Sequence, residues 1–139
     1  KQFPVINPSS YSSAALDFIV PRALQLSFTA NDVQSFYADV VLVNHAWDSH
    51  TRTERGQPWR WNPERRAILR AELDAIYARL YGLSRDDLRY ILDPEDIMGA
   101  GYPSQTFRGL RDKEIRHLGE YRTRRLVLKA WDRMEQGEL

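Results

Sequence analysis

From Gly119 to Met134 the chain reads Gly-Glu-Tyr-Arg-Thr-Arg-Arg-Leu-Val-Leu-Lys-Ala-Trp-Asp-Arg-Met, and its next glycine is Gly137. No proline interrupts it, which leaves room for about four helical turns. Tyr121, Leu128 and Trp131 recur at spacings of seven and three, with Val127 and Met134 alongside. One face of such a helix is apolar, while Arg122, Arg125, Lys129 and Arg133 lie largely off it. A helix of this kind packs on one side and shows positive charge on the other.

The same helical period recurs upstream. Asn62-Pro63-Glu64 combines a capping side chain, a proline whose missing donor costs nothing in a first turn, and an acid at the positive end of the helix dipole. Leu69, Leu73, Ile76, Tyr77 and Leu80 then fall on one stripe, with Leu73 and Ile76 at its centre, and Gly82 ends the run. Ser84 to Asp87 is a capping-box variant opening a short helix with Leu88, Ile91 and Leu92 inward, stopped by Asp93-Pro94. Between Pro94 and Pro103 the turn-rich chain has room for one helical turn around Ile97 and Met98. Ser104 can cap a further helix through Phe107, Leu110, Ile115 and Leu118, which Gly119 breaks.

Nearer the start, residues 1–13 form an extended lead-in. Ala14 to Phe28 follows a helical period interrupted by Pro21, so either a kinked helix or two short ones is expected. Thr29 or Asn31 then caps a helix over about residues 32–43, with Val33, Phe36, Tyr37, Val40 and Val41 inward. The β-branched run at residues 40–43 suits a strand, but its lead-in favours helix. Residues 44–62 are polar and irregular and read as a long loop. The expected fold is all-α, a single-core helical domain of about five to seven helices with that loop between residues 44 and 62.

Composition narrows the function. The 139 residues contain no cysteine, which excludes disulfides and thiolate metal sites and suits a reducing cytoplasm. No apolar run approaches membrane-spanning length and no signal peptide is visible, so a cytoplasmic protein is expected. The net charge of +1 hides an uneven distribution. Residues 104–134 carry nine Lys or Arg against four Asp or Glu, and the residues before them are acidic on balance. Arginine outnumbers lysine 17 to 3, which fits either a genomic composition bias or a use for forked contacts to phosphates and guanine edges.

Several motifs invite chemistry. Asn7-Pro8-Ser9-Ser10-Tyr11 is one residue longer than the Asn-Pro-Pro-Tyr loop that holds a flipped adenine and lacks its second proline, and no cofactor-binding sheet fits upstream of it, so it reads as a structural loop leading into the first helix. His45 and His50 lie five apart, matching no helical face, with His117 remote, so a metal site is not expected. Asp93, Glu95 and Asp96 are clustered as a magnesium site would require, but no lysine accompanies them and they read as surface acids. Trp59 and Trp61 flank Arg60, an arrangement suited to stacking on bases or to folding the loop back over the core. Helix, Gly119 and helix allow a helix-turn-helix with Arg122, Arg124, Arg125 and Lys129 toward a DNA groove, or an ordinary hairpin with a solvated basic face. Arg108 and Arg111 extend the candidate DNA-binding set.

The segment Gly119 to Asp132 resembles the closing signature of large bacterial adenine-specific DNA methyltransferases of restriction-modification systems, the type IIG-like class that often fuses methylase and nuclease. Tyr81 to Asp93 and Tyr102 to Arg108 resemble segments found in the same order in those C-terminal regions, as does Phe18 to Leu24 ahead of Thr29-Ala30-Asn31-Asp32. The resemblance implies a C-terminal module of a larger phage-defence protein. No glycine-rich loop after a strand is present, so catalytic residues, metal and cofactor are expected to be absent from this chain, with S-adenosylmethionine held by the parent. The implied partners are DNA, through the parent enzyme, and the upstream methylase domain. The competing expectation is a module that docks on the methylase or helicase-like body without touching DNA.

Overall fold

The computed structural model describes residues 5–43, 57–103 and 106–139. Seven α-helices and no strand occur among them: α1 (Ser13–Ser27), α2 (Gln34–Val43), α3 (Pro63–Leu80), α4 (Arg85–Leu92), α5 (Glu95–Met98), α6 (Arg108–Leu118) and α7 (Arg122–Glu135). The all-α expectation therefore holds. Most of the long loop, with His45 and His50, lies outside the described residues, as does Ser104; residues 57–62 are non-helical. No helix among the described residues is long and apolar enough to cross a membrane.

The chain divides into two compact units, residues 1–69 and 70–139. The buried apolar side chains, expected around one core, gather into two clusters, one in each unit. In the first unit, Asn7 caps a short 3-10 turn over Pro8–Ser10, its side-chain oxygen accepting from the Ser9 N–H and hydroxyl. Ser12 caps α1, which runs unbroken through Pro21. Pro21 is buried, and one residue on, the Arg22 guanidinium donates to the Phe18 carbonyl at 2.8 Å while lying over the Phe18 ring.

The expected start of the next helix is instead a 3-10 turn over Asn31–Val33, with no side-chain cap, leading into α2. Residues 40–43 are helical. Phe28 is fully buried and stacks on Tyr37, centroids 4.5 Å apart. Val20, Val33, Val40 and Val41 pack around that pair. Phe36, expected inward, is 53% exposed because the stacked Phe28 and Tyr37 rings already fill this small cluster.

The helix starts that follow show how much the sequence caps determine. Asn62 accepts from the Arg65 N–H to start α3, which carries the chain into the second unit, and Ser84 and Asp87 close a reciprocal capping box on α4. On α3, however, the buried positions beyond Leu69 are Ala71, Glu72, Ala75 and Ala78, whereas Leu73 and Ile76 are only partly buried. Alanine carries little apolar area, so an apolar stripe drawn by eye favours the leucines. The alanines, four and three apart, share one buried cluster with Val127, Leu128, Ala130 and Trp131 of α7 and with Leu88 and Leu92 of α4.

Candidate nucleic-acid interface

The acidic turn between α4 and α6 organises the charged side chains of the second unit. Arg111 donates to Asp93 at 3.2 Å and to Glu95 at 2.6 Å. Arg89 bonds Asp96 at 2.8 Å and Asp86 at 2.9 Å, and Arg124 reaches the same Asp96 oxygen at 2.5 Å. Three arginines from three helices thus converge on three acids within four residues. The turn's acids are therefore not plain surface acids, because each is held by a guanidinium. Burial by itself would raise the Asp96 carboxyl, but the bonds from Arg89 and Arg124 outweigh it and hold it below the ordinary carboxylate range.

This bears directly on the candidate DNA-binding residues. Arg111 and Arg124 are partly buried and turn toward acids of the same domain. Arg122 is partly buried, while Arg125 is exposed and grips Glu120 through two bonds, 2.8 and 2.7 Å. Arg108 is 75% exposed and stands 3.7 Å from Asp112, and Lys129 is exposed on α7. Lys113 and Arg116, which the sequence pattern alone does not single out, are exposed on α6. Their position off the apolar stripe of that helix is the signal that could find them.

The junction of α6 and α7 is built as expected, with a correction. Gly119 takes the left-handed conformation at φ 76° and ends α6. The helix before it starts at Arg108 with no side-chain cap, not at residue 104. Glu114 is the buried residue of α6, whereas Phe107, Leu110, Ile115 and Leu118 remain 36 to 48% exposed, since α7 covers only the part of that face where Glu114 sits. Tyr121 precedes α7, its hydroxyl buried; burial, then Glu114 and Asp93, push that hydroxyl up to about 12.

Trp59 and Trp61 part company. Trp59 packs edge-on against Phe28 and Tyr37, each 6.0 Å away, and its backbone N–H donates to the Phe28 carbonyl, so it folds the end of the loop back onto the first cluster. Trp61 is 65% exposed with the Arg66 guanidinium 3.9 Å over its ring. The two indoles do not form a shared stacking platform.

Comparison with protein-family models, with curated proteins and with solved structures returns no match. Among the described residues no group of three or more His, Cys, Asp or Glu is placed to hold a metal ion. Along α7 runs an open groove of about 840 Å³, lined by Arg125, Lys129 and Arg133 but also by Glu120, Asp132 and Glu138. Alternating signs of this kind suit surface ion pairs better than the enclosure of a small ligand.

Proposed function

We propose that this chain is a non-catalytic helical module of a restriction-modification-type adenine-specific DNA methyltransferase, and that it supports DNA binding through its last two long helices. The observation carrying the reading is the exposed charge on α6 and α7. Arg108, Lys113, Arg116, Arg125 and Lys129 are exposed there, against Asp112 and Glu135. Such a surface attracts a phosphate backbone without reading bases. The similarity of residues 119–132 to the closing signature of these methylases supplies the parent's chemistry, with S-adenosylmethionine bound elsewhere in it.

The test is fluorescence anisotropy of a labelled duplex titrated with the protein over a salt series. The expected log K falls linearly with log[salt] at about −0.9 per phosphate neutralised, and changing Arg125 and Lys129 to Ala lowers that slope by about one unit for each phosphate no longer held. Affinity indifferent to salt, or unchanged in the double variant, overturns it.

A second reading, favoured by the half-exposed row Phe107, Leu110, Ile115 and Leu118, docks α6 on the methylase body of the same polypeptide. The neighbouring Arg108, Lys113 and Arg116 fit an apolar patch with an acidic rim on that body. Such docking is much less salt-sensitive than DNA binding, and Leu118→Asp abolishes it.

A further inference from the structure

We propose that the acidic turn at residues 93–96 is a built-in competitor for nucleic-acid phosphate, holding Arg89, Arg111 and Arg124 in reserve; this rests on the DNA-binding reading above. Arg89 belongs to α4, Arg111 to α6 and Arg124 to α7, so nothing local in any one helix brings the three guanidiniums together. What gathers them is the row Asp93, Glu95 and Asp96. Arginine forks match carboxylate and phosphate oxygens with the same geometry, so a site satisfied by one anion is prepared for the other.

The sharing is uneven in a way that suits exchange. Arg89 and Arg124 both bond one oxygen of Asp96, a crowded arrangement that two non-bridging oxygens of a phosphodiester would relieve. The Arg124 Nε–H is buried and makes no hydrogen bond among the described residues, so this guanidinium has not spent all its donors. The three arginine side chains keep 23 to 29% of their surface open, and the acids facing them 17 to 29%. Water and dissolved anions therefore reach the pairs.

Two of the three acids sit on a single helical turn. Glu95 and Asp96 lie in the four-residue α5, which is followed by Gly99 at φ 97° and Gly101 at φ 83°. A single turn has little helical stability of its own, so the bonds to Arg89, Arg111 and Arg124 add to what the buried Pro94 at its start contributes to seating it. A strand whose phosphates replace those carboxylates would gain three cations beyond the exposed set and release the turn. The domain would then bind weakly at first encounter and more tightly once the turn has moved.

The experiment compares the unaltered chain with Glu95→Gln/Asp96→Asn and with the same pair of changes plus Arg111→Gln/Arg124→Gln, titrating one labelled duplex over a salt series. Far-ultraviolet circular dichroism checks that each is folded, and Asp96→Asn alone serves if the double change does not fold. The expected result is tighter binding by the neutralised variant, at least tenfold at low salt, with a slope steeper by about 0.9 for each arginine recruited. The added arginine changes should abolish that gain. An unaltered chain that binds salt-dependently while the neutralised variant gains nothing overturns the competitor and leaves the DNA-binding reading standing. A gain that survives removal of Arg111 and Arg124, which restores the original net charge, has another source and overturns it; so does an equal gain from Asp32→Asn/Asp39→Asn, which raises the net charge by the same amount on exposed acids of the first unit. If neither chain binds duplex, both readings fall.

Discussion

The Glu114 carboxylate accepts from both the backbone N–H and the hydroxyl of Thr123, each at 2.7 Å, so α6 supplies the cap that α7 lacks at its own start. Glu114 is buried, and a buried polar side chain is costly unless it is hydrogen-bonded. Two open donors of the last helix are satisfied by one residue nine positions earlier.

Glu114→Ala should therefore cost about 1–3 kcal/mol, since it strands a helix-terminal N–H and a hydroxyl away from water. Thr123→Val, which keeps the N–H bond, should cost less. Urea unfolding followed by circular dichroism measures both, and equal effects would mean that the hydroxyl bond carries the cap.

On α3 the alanine face makes a counter-intuitive ordering. Ala75→Leu should destabilise by about 1–3 kcal/mol through overpacking, more than the truncation of partly buried Leu73 to alanine. Trp131→Ala, on the facing helix of the same cluster, should cost about 3–5 kcal/mol. Denaturant midpoints that reverse the first pair would place Leu73 at the centre after all.

The depressed carboxyls at Asp96 and Asp132 fix the sign of the acid response. Arg85 holds Asp132 down through bonds of 2.6 and 2.9 Å, as Arg89 and Arg124 hold Asp96. A carboxyl whose folded pKa lies below its unfolded value of about 3.9 contributes stability above that pH and loses it as pH falls through the folded value. Thermal midpoints should accordingly drop as pH falls below about 4, and Asp132→Asn should flatten the acid limb while lowering the plateau at pH 7. An acid limb unchanged in Asp132→Asn would show that the Arg85 pair contributes nothing.

The two tryptophans should separate in a melt. Trp59→Ala removes edge-on packing against both Phe28 and Tyr37 and should cost about 2 kcal/mol or more. Trp61→Ala gives up an exposed cation–ring pair worth about 1 kcal/mol or less.

Several helix boundaries are readable from a single side chain: Asn62, Ser84, Gly119 and the Asp93-Pro94 stop act as their chemistry suggests, whereas Thr29 and Asn31 do not, since an uncapped 3-10 turn stands there. The apolar face of α7 is readable too, because Leu128 and Trp131 are large and evenly spaced. What escapes is anything set by a distant partner. Arg111 and Arg124 look like free cations in a one-dimensional charge pattern and become structural only when the turn at residues 93–96 folds beneath them. The half-bare face of α6 has the same origin, since spacing tells which side is apolar and not how much of it a neighbour covers.

The alanines at 71, 75 and 78 also set how this helix can drift in sequence. Glycine is the one smaller side chain, and inside a helix it costs about 1 kcal/mol relative to alanine. Every larger one must displace the α4 or α7 residues already clustered there. Substitution can thus accumulate at 73, 76, 77 and 80, the positions that look most essential in the bare sequence. The three least conspicuous residues of the helix stay closed in both directions.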